Sequence, residues 1–188
     1  SLFSKTGDMS YLKSSCQAYL SSRDRTSAVR VARRPLSTTG PDAWIQVANL
    51  MKELALYPEL IDLYLEQEKA NPSLLFDNEL FNLYELTSRH QEAVIRYVGF
   101  LVRTRDLPFV RPRLMQLAEK GLDRFITEKV QESLLQQKDE NLKASHEIIL
   151  FDIDFFRGET TSATRRVLNV LKLNGSSDFL FSAIDQFV

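Results

Sequence analysis

The sequence contains one cysteine, Cys16, and that scarcity excludes several designs at once. A single thiol forms no internal disulfide and leaves a cysteine-rich zinc site without ligands. A reducing compartment inside the cell is therefore expected, the cytoplasm first and the mitochondrial matrix or nucleus otherwise. Glycine and proline are also sparse, at six each among 188 residues. A β-sandwich or barrel needs turn residues roughly every 8–12 positions, so an all-β fold is excluded. No run approaches the roughly 18 apolar residues of a membrane-spanning helix. Ser1–Gly7 lacks the apolar centre of a signal peptide. Membrane insertion is not expected.

Signs of catalysis are equally thin. Histidine is limited to His90 and His146, in distant segments, whereas a zinc centre gathers several ligands at close spacing. No glycine-rich phosphate loop and no nucleophile elbow occurs. One segment, Ile148-Ile149-Leu150-Phe151-Asp152-Ile153-Asp154, resembles the first motif of haloacid-dehalogenase-type phosphatases. That resemblance implies a nucleophilic first carboxylate and an acid/base second one. Phe155-Phe156 stand where that family carries glycine and threonine, and too little chain follows for its parallel sheet. The segment is instead expected to be an amphipathic helix, with Ile149, Phe151, Phe155 and Phe156 inward and Asp152 outward. Cys16, with no histidine or basic cluster beside it, reads as a small buried hydrophobe. No metal, no cofactor and no enzymatic activity are expected.

The net charge of −1 argues against a dedicated nucleic-acid binder, yet the charge is unevenly spread. Residues 1–40 carry seven basic against two acidic side chains, and residues 41–92 carry three against ten. Residues 93–130 reverse the balance. Two arginine runs follow from this. Arg23, Arg25, Arg30, Arg33 and Arg34 form the first, and Arg103, Arg105, Arg111 and Arg113 the second. They are candidates for a basic patch facing an acidic partner or nucleic acid. An inter-repeat contact with the acidic 41–92 block is the competing expectation.

What the chain does possess is a repeat. Polar breaks at Ser22–Arg25, Leu56–Glu59, Ser88–Gln91, Gly121–Arg124 and Gly158–Thr161 each separate two apolar-periodic stretches. The second stretches open at Ala28, Leu60, Ala93, Thr127 and Ala163, spaced 32, 33, 34 and 36 residues apart. Within them the apolar residues recur at helical spacing, as in Leu60, Leu63 and Tyr64, in Ala93, Val94, Tyr97, Phe100 and Leu101, and in Ala163, Val167, Leu168 and Leu171. The first stretches do likewise, with Trp44, Val47, Ala48 and Met51, then Leu80, Phe81 and Tyr84. Pro41 is placed to open a helix, while Pro72, Pro108 and Pro112 are expected between helices. A lone hairpin of this kind cannot bury its apolar face, so the units must stack. The spacing predicts an all-α chain read as one domain, residues 1–188, with the clearest repeats at 41–72 and 74–107. Degenerate ones span 8–40, 108–143 and 144–188.

Residues 42–72 resemble the tetratricopeptide repeat. Trp44 lies early in the first helix, Ala48 four residues on, Tyr57 at the turn, Leu60 at the second helix opening, then Tyr64 and a closing Asn71-Pro72. Ala55 stands where that family favours glycine, and Leu60 and Gln67 where it favours small residues. The next unit keeps Leu80, Tyr84, Ala93 and Tyr97. The resemblance implies a right-handed α-solenoid of about five repeats, acting as a protein–protein interaction scaffold. Its first helices would line a groove for a peptide or partner subunit, through Ile45, Asn49, Lys52, Glu53, Asn78, Asn82 and Glu85. Residues 75–107 also resemble a pentatricopeptide repeat, which implies organellar RNA as the alternative partner and Asn78 as a base-reading residue. The chain starts without methionine and ends in an apolar stretch with Phe179, Leu180, Phe181, Ile184 and Phe187. That stretch is expected to continue into a longer array or to self-associate.

Overall fold

The computed structural model describes residues 9–37 and 42–174, and every regular element among them is helical. The helices follow in successive pairs along the chain: α1 (Met9–Ser21) and α2 (Arg25–Ala32), α3 (Ala43–Glu53) and α4 (Tyr57–Ala70), α5 (Asp77–Leu86) and α6 (His90–Thr104), α7 (Leu107–Leu117) and α8 (Asp123–Gln136), α9 (Glu140–Phe156) and α10 (Thr160–Asn174). A 3₁₀ turn, Arg34–Ser37, follows α2, and a π-turn, Ala118–Leu122, joins α7 to α8. The chain divides into two compact units, Ser1–Ser88 and Arg89–Val188. Pro41 and the apolar residues Phe179, Leu180, Phe181, Ile184 and Phe187 lie outside the described residues.

The repeat is written in the backbone as well as in the apolar pattern. A residue with positive φ ends the first helix of every pair: Arg23 (62°), Ala55 (53°), Ser88 (56°), Gly121 (88°) and Gly158 (74°). Five residues after each stands a fully buried side chain, Ala28, Leu60, Ala93, Ile126 or Ala163, none more than 1% exposed. The fourth anchor is therefore Ile126 and not Thr127, which is half-buried and donates its hydroxyl to the Asp123 carbonyl. The left-handed residue lets the chain close the helix with a Schellman pair. At Gly158 the amides of Gly158 and Glu159 donate to the carbonyls of Phe155 and Asp154, at 2.9 and 2.8 Å. The same pattern recurs at Arg23 and Ala55. A side chain in this conformation costs about 1 kcal/mol relative to glycine. Three of the five turns carry that cost.

Several expectations shift on contact with the structure. The second break lies at 54–56, because Tyr57 and Pro58 already form the first turn of α4, where proline loses no helical hydrogen bond. Pro108 and Pro112 do not separate helices. Pro108 sits in the first turn of α7 and Pro112 in its interior, removing one bond from the ladder. Leu168 is exposed at 52%, and Val170, at 1%, fills the core in its place.

In the first unit the core is apolar, with Leu12, Val47, Met51, Leu60, Leu63, Leu80 and Phe81 closed to solvent. Trp44 packs edge-on against Phe76 at 5.2 Å, and Tyr64 lies 4.7 Å from Phe76, so aromatics bridge from one pair to the next. Cys16 is fully buried, its thiol 3.4 Å from the Ala28 carbonyl, and burial pushes its pKa up. In the second unit α9 is the central helix, packed against α7, α8 and α10. A helix covered on so many sides has little solvent face left, and its polar residues must find partners inside. Side-chain caps anchor three helix starts. Asp24, Asp106 and Asp139 accept from the amides of Ser27, Phe109 and Leu142, satisfying helix-start N–H groups that have no partner within the helix.

Candidate functional site

The seven side chains assigned to a groove all reach solvent. Ile45, Asn49, Lys52 and Glu53 form an exposed stripe along α3, at i, i+4, i+7 and i+8. Asn78, Asn82 and Glu85 form the corresponding stripe on α5. The register repeats: Ile45 and Asn78, Asn49 and Asn82, and Lys52 and Glu85 are each 33 residues apart. The carboxamides of Asn49 and Asn82 have no hydrogen-bond partner among the described residues. Each keeps donors and an acceptor free.

The structure brings part of this set into a concave feature. A pocket of ≈350 Å³ lies between α1 and α3, lined by Met9, Ser10, Lys13, Gln46, Asn49 and Glu53 with Leu50 at its base. Lys13 closes one side by an ion pair to Glu53, Nζ to Oε2 at 2.7 Å. Asn49 and Glu53 thus share a site, while Ile45, Lys52 and the α5 residues lie outside that pocket. Lys13 and Gln46 escaped the sequence reading. Lys13 sits in a degenerate repeat with no motif to align it, and its partner is 40 residues away.

The arginine runs are largely engaged within the protein. Arg25 forks onto Glu59, with Nε and Nη2 at 2.7 and 2.6 Å from the two carboxylate oxygens. This holds the Glu59 carboxyl below its usual range. Arg33 pairs with Glu66, and Arg30 bonds the Ser27 hydroxyl. The inter-repeat contact, not a free patch, describes Arg25 and Arg33, since Arg25 in α2 and Arg33 at its C-cap both reach α4 about one repeat away. Arg34 is engaged too, and Arg23 is exposed. In the second unit Arg103 is engaged, Arg105 meets Asp139 at 2.7 Å, and Arg113 stacks over the Phe109 ring at 3.7 Å. Arg111 forks onto Asp152 at 2.6 and 2.7 Å. The two runs fall in different units.

Asp152 corrects the expectation for its segment. The segment is helical, and Ile149 and Phe151 are buried as expected, but Asp152 is inward at 8% exposure and Phe156 outward at 49%. Arg111 on α7 explains the inversion, because it gives the carboxylate a partner on a face that α7 covers. Burial pushes the Asp152 carboxyl up, and the guanidinium opposes that shift. Asp154 and Glu147, seven residues apart on α9, share Arg166 at 3.3 and 3.0 Å. Asn169 donates to the second Glu147 oxygen at 3.0 Å. His146 is fully buried, with Nδ1 2.6 Å from the Leu142 carbonyl and Nε2 2.8 Å from the Ser133 hydroxyl. Burial holds its pKa below the ordinary imidazole value. These carboxylates all face cations, and no group of three or more metal-ligating side chains forms among the described residues. No helix among those residues is long and apolar enough to cross a membrane. Compared with known families and with curated proteins, the chain matches none.

Proposed function

We propose that this chain is a non-catalytic interaction scaffold, a right-handed solenoid of tetratricopeptide-like repeats that holds a peptide or partner subunit on its first-helix faces. One observation carries the reading. The same exposed stripe occurs on α3 and again on α5 in one register, and its middle position is an asparagine with a free carboxamide in both. A carboxamide donates and accepts at once, so it can clamp the backbone of an extended segment whatever its sequence. Two clamps a repeat apart would fix a peptide's direction. The α1–α3 pocket beside Asn49 would take a side chain, with Leu50 below and the Lys13–Glu53 pair at its edge.

A random peptide library displayed on phage and selected against the full chain tests this. At least one class of enriched peptide is expected to lose about tenfold or more in affinity on N49A/N82A, since each net hydrogen bond contributes about 1 kcal/mol. Both positions are exposed, so the melting temperature should hold. Enrichment of no peptide, or no enriched class weakened by the double variant, would overturn the assignment.

A further inference from the structure

A second pocket, in the second unit, takes no part in that reading. It opens where the C-terminal end of α8 meets the first half of α9 and the last turns of α10, with a volume of ≈400 Å³. That is the size of sites that accept a small ligand or a few peptide side chains. Its apolar wall is Leu134, Leu135 and Leu173, and Leu135 is 87% exposed, more than any other large hydrophobic residue described. With Leu134 and Leu173 it forms one contiguous apolar wall on the pocket, and not a hydrophobic residue standing alone.

Cations in this unit fall into two groups, those paired to a carboxylate and those, Lys120, Arg124 and Lys138 among them, with no carboxylate partner among the described residues. Arg105, Arg111, Arg157 and Arg166 each face a carboxylate. Lys143 and Lys172 line the pocket and face none among the described residues. The acidic group in the lining is Glu147, and both its oxygens are occupied, by Arg166 and Asn169. The site therefore has a neutralised floor, an apolar wall and two ammonium groups without a carboxylate partner among the described residues. No aromatic ring lines it among the described residues.

We propose that this pocket is a docking site for an acidic linear segment of a partner protein. A large apolar side chain of the segment packs on Leu134, Leu135 and Leu173, and flanking carboxylates meet Lys143 and Lys172. This site is separate from the α3–α5 stripes and stands or falls independently of them. Selection of the displayed peptide library against the full chain is expected to enrich peptides with aspartate or glutamate around leucine or phenylalanine. Synthetic versions should bind about tenfold or more weakly to K143E/K172E, and also to L135S, with circular dichroism melting unchanged. Their affinity should fall as salt rises, because the ion pairs are at the surface. N49A/N82A should bind them as the unaltered chain does. Absence of an acidic class, equal binding by K143E/K172E, or displacement of the peptide by single-stranded RNA through the same lysines would overturn the proposal. Loss of all peptide binding in N49A/N82A alone would leave the stripes standing and remove this site.

Discussion

The two units use the same helix–turn–helix plan and handle charge in opposite ways. In the first, the buried polar group among the described residues is Ser27, and the ion pairs lie on the outside. In the second, His146, Glu147, Asp152 and Asp154 are all buried on one helix. The cause is coverage. α9 is packed by α7, α8 and α10, so residues that would be solvated elsewhere become interior and need partners. The contrast teaches that a charge in a repeat array reports its neighbours as much as its function. A buried pair also responds differently to mutation, because removing one member strands the other.

The largest expected effect breaks that contrast directly. Arg166→Met leaves Glu147 and Asp154 buried without their cation, and should cost about 3–5 kcal/mol in urea unfolding. Arg25→Ala, which frees the part-exposed Glu59, should cost about 1 kcal/mol or less. Comparable losses from the two would abolish the distinction.

Acid should separate the units next. Both histidines fall in the second, and folding holds the buried His146 below its ordinary value of 6.5. The neutral form is thus favoured in the folded state. Its stabilising contribution is complete above about pH 6.5 and is lost as pH falls through the lower folded value. Hydrogen exchange in α8 and α9 should quicken over that range, while fluorescence of Trp44, the sole tryptophan, stays constant. His146→Gln should flatten the exchange response.

The turns sharpen what the units share. Ala55→Gly and Ser88→Gly should each stabilise by up to about 1 kcal/mol, and Gly158→Ala should destabilise by a similar amount, read as shifts in melting temperature. A Cβ at Gly158 would meet no atom within 4 Å, so backbone strain alone is being measured.

These comparisons also show where the sequence was readable. Apolar spacing located the helices because Ala28, Leu60, Ala93 and Ala163 are buried as that spacing requires. The break at Gly121 was legible, but the anchor after it is Ile126 and not Thr127, because the buried position falls five residues after the left-handed residue as in the other pairs. The left-handed positions were hidden where Arg23, Ala55 and Ser88 stand in place of glycine. The groove residues on α3 and α5 came from the tetratricopeptide resemblance, and their exposure follows from the local geometry of an amphipathic helix. The inward face of Asp152 was not legible, because it depends on Arg111, 41 residues away. Lys13 beside Glu53 was missed for the same reason.

With most of the arginines in both runs engaged internally, we propose that the chain recognises protein and not nucleic acid. The most direct test is binding of mixed-sequence single-stranded RNA to the full chain across a salt series. Dissociation constants no tighter than about 10⁻⁵ M near physiological salt, without sequence preference, are expected. Sub-micromolar binding that persists in salt and discriminates between sequences would contradict it.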